Sequence, residues 1–170
     1  MKTSDKFLVS VVMGSDSDLG VMEESMKILK DFQVPYEVVL TSAHRSPERT
    51  ADFAQKAALR GIRLIIVGAG AAAHLAGVIA SQTLLPVIGV PIDATALQGL
   101  DALLATVQMP GGIPVATMAI GKAGAKNAAL MAIRILALTD EALEKKLQTY
   151  IQQMARDVER KQANLNATNP

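Results

Sequence analysis

The chain has 170 residues, half of them hydrophobic and only 3% aromatic, with 17 basic and 16 acidic side chains and a formal charge of +1. That length favours one domain with a core of Ala, Val, Ile, Leu and Met, and the balanced charge argues against a nucleic-acid-binding surface. No cysteine and two histidines exclude disulfides and thiolate chemistry and leave little for a structural zinc site, so no metal is expected.

In chain order, the polar start Met1 to Lys6 lacks a secretory signal core. Phe7 to Met13 is an apolar strand ending at Gly14. Leu19 to Phe32 has helical spacing, with Met22, Met26, Leu29 and Phe32 on one face. Tyr36 to Thr41 is the second strand, its Val38-Val39-Leu40 run reading as buried, and Glu48 to Leu59 the second helix. Ser46 suits its N-cap and Pro47 its first position. Ile62 to Val67 is a third strand, His74 to Thr83 a short helix, Val87 to Val90 a fourth strand. Leu97 to Val107 is helical, Gln108 to Pro114 a loop, Val115 to Met118 a short fifth strand and Lys122 to Leu138 an Ala-rich helix. A last helix, Asp140 to Lys161, carries the apolar stripe Leu143, Leu147, Ile151, Met154 and Val158, which needs a surface to pack on. Residues 162–170 read as a disordered polar tail. No apolar run is long enough to span a membrane, so a soluble cytoplasmic protein with no membrane partner is expected.

Strands apolar on both faces and alternating with helices indicate a parallel sheet covered on both sides. Five of them fit a single-domain α/β flavodoxin-like three-layer sandwich, strand order 2-1-3-4-5, over residues 1–161 with the last helix added. Three loops then share the sheet's C-terminal edge. Gly14-Ser15-Asp16-Ser17-Asp18 supplies hydroxyls, amides and carboxylates; Ser42-Ala43-His44-Arg45-Ser46 supplies a cation and an imidazole; Gly68 to His74 supplies backbone flanked by small side chains. Arg45 and nearby helix amides suit a phosphate or carboxylate, and an imidazole can exchange a proton near neutral pH.

Other readings are weaker. Gly68-x-Gly70-x-x-Ala73 after a strand matches a dinucleotide fingerprint, with Asp93 twenty residues on, but its helix is short and it lies on the third strand. A Ser42, His44 and Asp16 or Asp18 triad lacks the nucleophile elbow. Asp16 and Asp18 alone are weak support for magnesium.

Quoted together, Val12 to Asp18, Ser42 to Arg45, Gly68 to Gly70 and Ala73-His74-Leu75 resemble the N5-carboxyaminoimidazole ribonucleotide mutase family, the class I PurE proteins of purine biosynthesis. Pro86 to Pro91, Val107 to Pro114 and Ala119 to Ala125 add to the resemblance, which runs in order from about Val9 to Leu138. It implies a flavodoxin-like subunit, a homo-octamer, a phosphorylated aminoimidazole ribonucleotide as substrate, and no metal, nucleotide or organic cofactor. By the resemblance His44 is the catalytic residue. Ser15, Asp18 and Arg45 match substrate-binding positions, and Ser17, Ser42, Gly70, His74 and Leu75 line the same pocket. Two positions depart from the pattern: Ala71 stands for Gly and Ala76 for Pro. A related branch uses free carbon dioxide and has Lys after the histidine, where this chain has Arg45. That favours the mutase over the carbon-dioxide-dependent carboxylase, and both over a non-catalytic module binding a phosphorylated ligand.

Overall fold

Strands buried on both faces require helices above and below, and the computed structural model, which describes residues 7–168, supplies them. Strands β1 (Val9–Met13), β2 (Tyr36–Leu40), β3 (Leu64–Gly70), β4 (Val87–Ile92) and β5 (Ala116–Thr117) pair in parallel in the order β2-β1-β3-β4-β5. This is the flavodoxin-like order that the alternating pattern predicts. The described residues fall into two compact units that divide between Ala132 and Ile133.

In the first unit, helices α1 (Leu19–Asp31), α2 (Pro47–Ala57), α3 (Leu75–Ala80) and α4 (Leu100–Val107) follow β1, β2, β3 and β4. Val12, Ile65, Val67 and Val87 of the sheet pack with Ala54 and Ala57 of α2, Leu75, Ala76 and Ile79 of α3 and Ala102 of α4. The other face takes α1 and the start of α5 (Lys122–Ala137). There the buried Ser25 hydroxyl donates to the Ala125 carbonyl at 2.6 Å. Ala125, Ala128, Ala129 and Ala132 are fully buried at helical spacing, so α5 packs through methyl groups.

Several boundaries differ from the sequence reading for physical reasons. β3 continues through Gly68-Ala69-Gly70, because Gly68 lets α1 come close: a Cβ there would overlap the Met22 thioether. Its fingerprint glycines therefore lie in a strand paired with β4 rather than in a phosphate-binding turn. β4 runs on through Pro91 to Ile92, because β5 pairs only with Ile88 and Gly89 and leaves Pro91 no ladder donor to lose on that side. α4 begins at Leu100 instead of Leu97, since Gln98 and Gly99 have φ of 52° and 83° and break the helix. Val38 and Leu40 are not buried; they are 47% and 48% exposed because β2 is the sheet's edge, and Val39 alone of that run packs against the core.

The second unit contains the end of α5 and α6 (Glu141–Thr168). The Asp140 carboxylate accepts the Leu143 amide at 3.0 Å and caps α6. Leu143 and Leu147 are buried, while Ile151, Met154 and Val158 are exposed. The helix does not stop at Lys161 but runs to Thr168. Ala163, Leu165 and Ala167 are compatible with helix there, and Gln162 bonds Asn166 one turn on at 2.9 Å. Residues 169–170 of the expected tail lie outside the described residues. No described helix is long and apolar enough to cross a membrane.

Candidate functional site

The loop after β1 is built by its own serines and aspartates. Ser15 is the N-cap of a short 3₁₀ turn, Asp16–Asp18. Its hydroxyl accepts the Ser17 amide at 3.3 Å, and the Asp18 carboxylate accepts the Ser15 amide at 3.1 Å, a reciprocal capping box. Asp18 is buried. Burial raises its pKa above the ordinary 3.8, backbone hydrogen bonds from Ser15 and Gly14 oppose the shift, nearby Asp16 adds to it, and Arg45 opposes it. Asp16 turns to its own loop, accepting from the Ser17 amide and the Ser15 hydroxyl. Among the described residues, no group of three or more His, Asp or Glu could hold a metal ion.

After β2 the chain turns instead of staying extended. Ser46 does not cap α2 with its side chain. Its hydroxyl instead accepts the Ser42 amide at 2.9 Å and donates to the Ser42 carbonyl at 3.2 Å. Beneath it Thr41 and Thr50 share a buried hydroxyl contact of 2.8 Å. Ser42 Oγ accepts the Arg45 amide at 3.2 Å, which ties this hydroxyl into the turn, and the His44 ring pairs with His74 rather than with Ser42. The turn projects His44 and Arg45 outward. The Arg45 guanidinium donates to the Gly14 carbonyl at 2.9 Å and so joins the first two loops.

The loop after β3 is narrow because its residues are small. Gly70 has no room for a side chain: a Cβ there would lie 2.6 Å from the Ala94 methyl. Ala71 has φ of 52°, a left-handed conformation that favours glycine. Ala73 turns inward and is 1% exposed. His74 stands at the start of α3, and its Nδ1 lies 2.8 Å from His44 Nε2, the two rings nearly perpendicular.

The three loops enclose a cavity of about 360 Å³. Of the residues read from the sequence, Ser15, Ser17, Asp18, Ser42, His44, Arg45, Gly70 and Leu75 line it. His74, expected in the lining, is not part of it: it stands behind His44 and reaches the site through that ring. Ala94 also lines the cavity, and the sequence reading missed it. The available signal was its place just past β4, whose end shares the same sheet edge. Ala43, Ala69 and Ala72 complete much of the apolar wall.

A parallel sheet with a small, polar-floored cavity at the carboxyl ends of its strands, carrying an imidazole and a guanidinium, defines an α/β protein with a site suited to a small anionic molecule. The family model described as AIR carboxylase matches residues 8–157, and the chain belongs to that family. A Pyrococcus horikoshii protein named N5-carboxyaminoimidazole ribonucleotide mutase is 58% identical over 162 residues, covering 95% of this chain and 90% of its own length. A Synechocystis protein of the same name is 53% identical, covering 96% and 92%. The crystal structure of Treponema denticola PurE superposes with a TM-score of 0.84 at 30% identity, covering 93% of this chain and 98% of that one.

Proposed function

We propose that this chain is an isomerase that converts N5-carboxyaminoimidazole ribonucleotide into 4-carboxy-5-aminoimidazole ribonucleotide, a step of purine biosynthesis. The observation that carries the reading is the cavity itself: His44 and Arg45 face the Ser15–Asp18 loop, in a chain more than half identical over nearly all its length to proteins named for this reaction.

The substrate carries a carboxylate on its exocyclic nitrogen as a carbamate. Breaking that N–C bond puts a proton on the nitrogen and frees carbon dioxide. Ring carbon C4 then forms a bond to carbon dioxide and loses its own proton. The net change moves one carboxylate from nitrogen to carbon and one proton from carbon to nitrogen, with no redox change. One group that gives a proton and then takes one serves both steps, and His44 is assigned that role. Arg45, with the Ser17 hydroxyl and the amides of the first loop, suits the substrate phosphate. The methyl-lined wall of Ala43, Ala69, Ala71 and Ala72 suits the retention of carbon dioxide away from water.

Purified protein mixed with freshly prepared carbamate substrate, without ATP, is expected to yield the C4-carboxylated product. Binding without turnover would replace the enzyme by a binding module. The family description also names a carboxylase, so a second arm supplies aminoimidazole ribonucleotide and bicarbonate. Faster product formation in that arm would make free carbon dioxide the true co-substrate. The same reading includes a homo-octamer, supported by exposed Leu100, Leu104 and Val107 on α4. It also includes the cytoplasm, because a phosphorylated substrate is retained where it is made. Light scattering is expected to give the mass of eight chains; a stable monomer would remove the octamer.

A further inference from the structure

The contact between His44 Nε2 and His74 Nδ1, at 2.8 Å, admits one proton. Two protons would clash and none would leave two lone pairs facing each other. Two tautomeric arrangements satisfy it. In one, His74 Nδ1 donates and His44 Nε2 accepts, so the bond breaks whenever His44 takes up a second proton. In the other, His44 Nε2 donates and His74 Nδ1 accepts. Only this second arrangement survives in both protonation states of His44, because the imidazolium carries a proton on Nε2 as well.

We propose that His74, held as the Nε2–H tautomer, is a positioning residue that fixes His44 Nε2 as a permanent donor and so assigns proton transfer to His44 Nδ1. Among the described residues the His44 ring makes no other hydrogen bond, which leaves Nδ1 available. Two features hold His74 for this task. Its amide donates to the Ala72 carbonyl at 2.8 Å, and its carbonyl accepts the Val78 amide at 3.0 Å in the first turn of α3. Leu75 beside it is buried in the core, so the backbone that carries the ring is anchored. A ring nitrogen's hydrogen bond sets the state of the opposite nitrogen, the logic by which a buried acceptor orients a catalytic imidazole elsewhere.

The inference rests on the mutase reading for its kinetic arm but not for its spectroscopic arm. The chain has only two histidines, so solid-state NMR of ¹⁵N-histidine-labelled full-length protein resolves both rings without a variant. In the neutral forms, both rings are expected with Nε2 protonated and Nδ1 bare; a proton on Nδ1 of either ring overturns the proposal. In the carbamate assay, His74→Leu removes the acceptor, and kcat is expected to fall about 10–100-fold, the usual cost of losing an orienting partner, with KM nearly unchanged. His74→Asn places an amide oxygen near the former Nδ1 and is expected to recover most of that loss. Equal loss in both variants, or in neither, contradicts the positioning role. If the wild type does not convert the carbamate, the mutase reading fails and the tautomers alone decide the inference.

Discussion

The loop after β2 and the loop after β3 meet at one pair of ring nitrogens, yet they are held by different forces. Thr41, Ser42, Ser46 and Thr50 knit the first together with hydroxyls, at distances of 2.8–3.3 Å. Among the described residues the second has no such network. It is fixed by short backbone bonds, such as Ala73 N–H to the Ala71 carbonyl at 2.8 Å, and by the burial of Ala73 and Leu75. The hydroxyl-bound loop carries His44 and Arg45, two of the charged or titratable groups that face the cavity, the third being Asp18 of the loop after β1. The packed loop carries small walls and one imidazole. A polar network can therefore hold reactive side chains at an exposed edge, whereas packing holds a surface that must stay dry and close.

The largest way to break this asymmetry is at its reactive centre. His44→Asn keeps a similar size but cannot titrate. Turnover of fresh carbamate is expected to fall by about 10²–10⁴-fold, the range for losing general acid–base catalysis, while calorimetry with the stable product shows retained binding. Near-normal turnover would move the proton chemistry to another group. Arg45→Ala comes next. Binding of the phosphorylated product is expected to weaken by about 1.5–3 kcal/mol, as for hydrogen bonds to charged groups, and inorganic phosphate should compete in the wild type. Unchanged affinity would leave Arg45 as a strut between loops through the Gly14 carbonyl.

How much of this was legible beforehand follows from the same contrast. Strand order and the shared edge were readable, because alternating apolar strands and helices leave few topologies. So was the cavity lining from Ser15 to Leu75, which lies next to strand ends in the sequence. Three features were hidden. The Ser46 hydroxyl looks like a helix cap in sequence, but the turn after β2 offers it the Ser42 amide. Ala94 is one methyl in an Ala-rich chain and gains meaning only where β3 and β4 lie side by side. The His44–His74 bond joins residues thirty apart, and no local pattern encodes it.

Ser46→Ala tests the hydroxyl network directly. It leaves the part-buried Ser42 amide without its acceptor, so urea unfolding is expected to show a loss of about 1–2 kcal/mol, the cost of an unsatisfied donor. No loss would mean that water replaces the hydroxyl and that the turn is held by Thr41 and Thr50.

The loop after β1 lies between the other two and adds a smaller, pH-dependent effect. The Asp18 carboxyl has its pKa raised by burial above 3.8, so the folded state holds that proton more tightly than the unfolded chain does. The stability it contributes is present below the unfolded pKa and is lost as pH rises through the raised folded value. Asp18→Asn keeps an acceptor for the Ser15 amide and cannot ionise. Its stability relative to wild type is expected to improve as pH rises from acid toward neutral, while affinity for the product falls. A stability difference that stays constant with pH would show that ionisation of Asp18 does not strain the fold.

The smallest effect belongs to the packed loop and concerns Ala71. Its φ of 52° places a Cβ where L-residues are crowded, at a cost of about 1–2 kcal/mol. The family resemblance has glycine at this position, which would remove that cost. Glycine also frees the unfolded chain, which returns roughly 0.4–1 kcal/mol. The difference leaves Ala71→Gly more stable by up to about 1.6 kcal/mol, on the same two principles. Chemical unfolding measures it, and carbamate turnover should change little, because Ala71 supplies only a methyl to the cavity wall. If the variant is instead less stable, that methyl contributes contacts worth more than its backbone strain. The loop after β3 would then be held by its side chains as firmly as the loop after β2 is held by its hydroxyls.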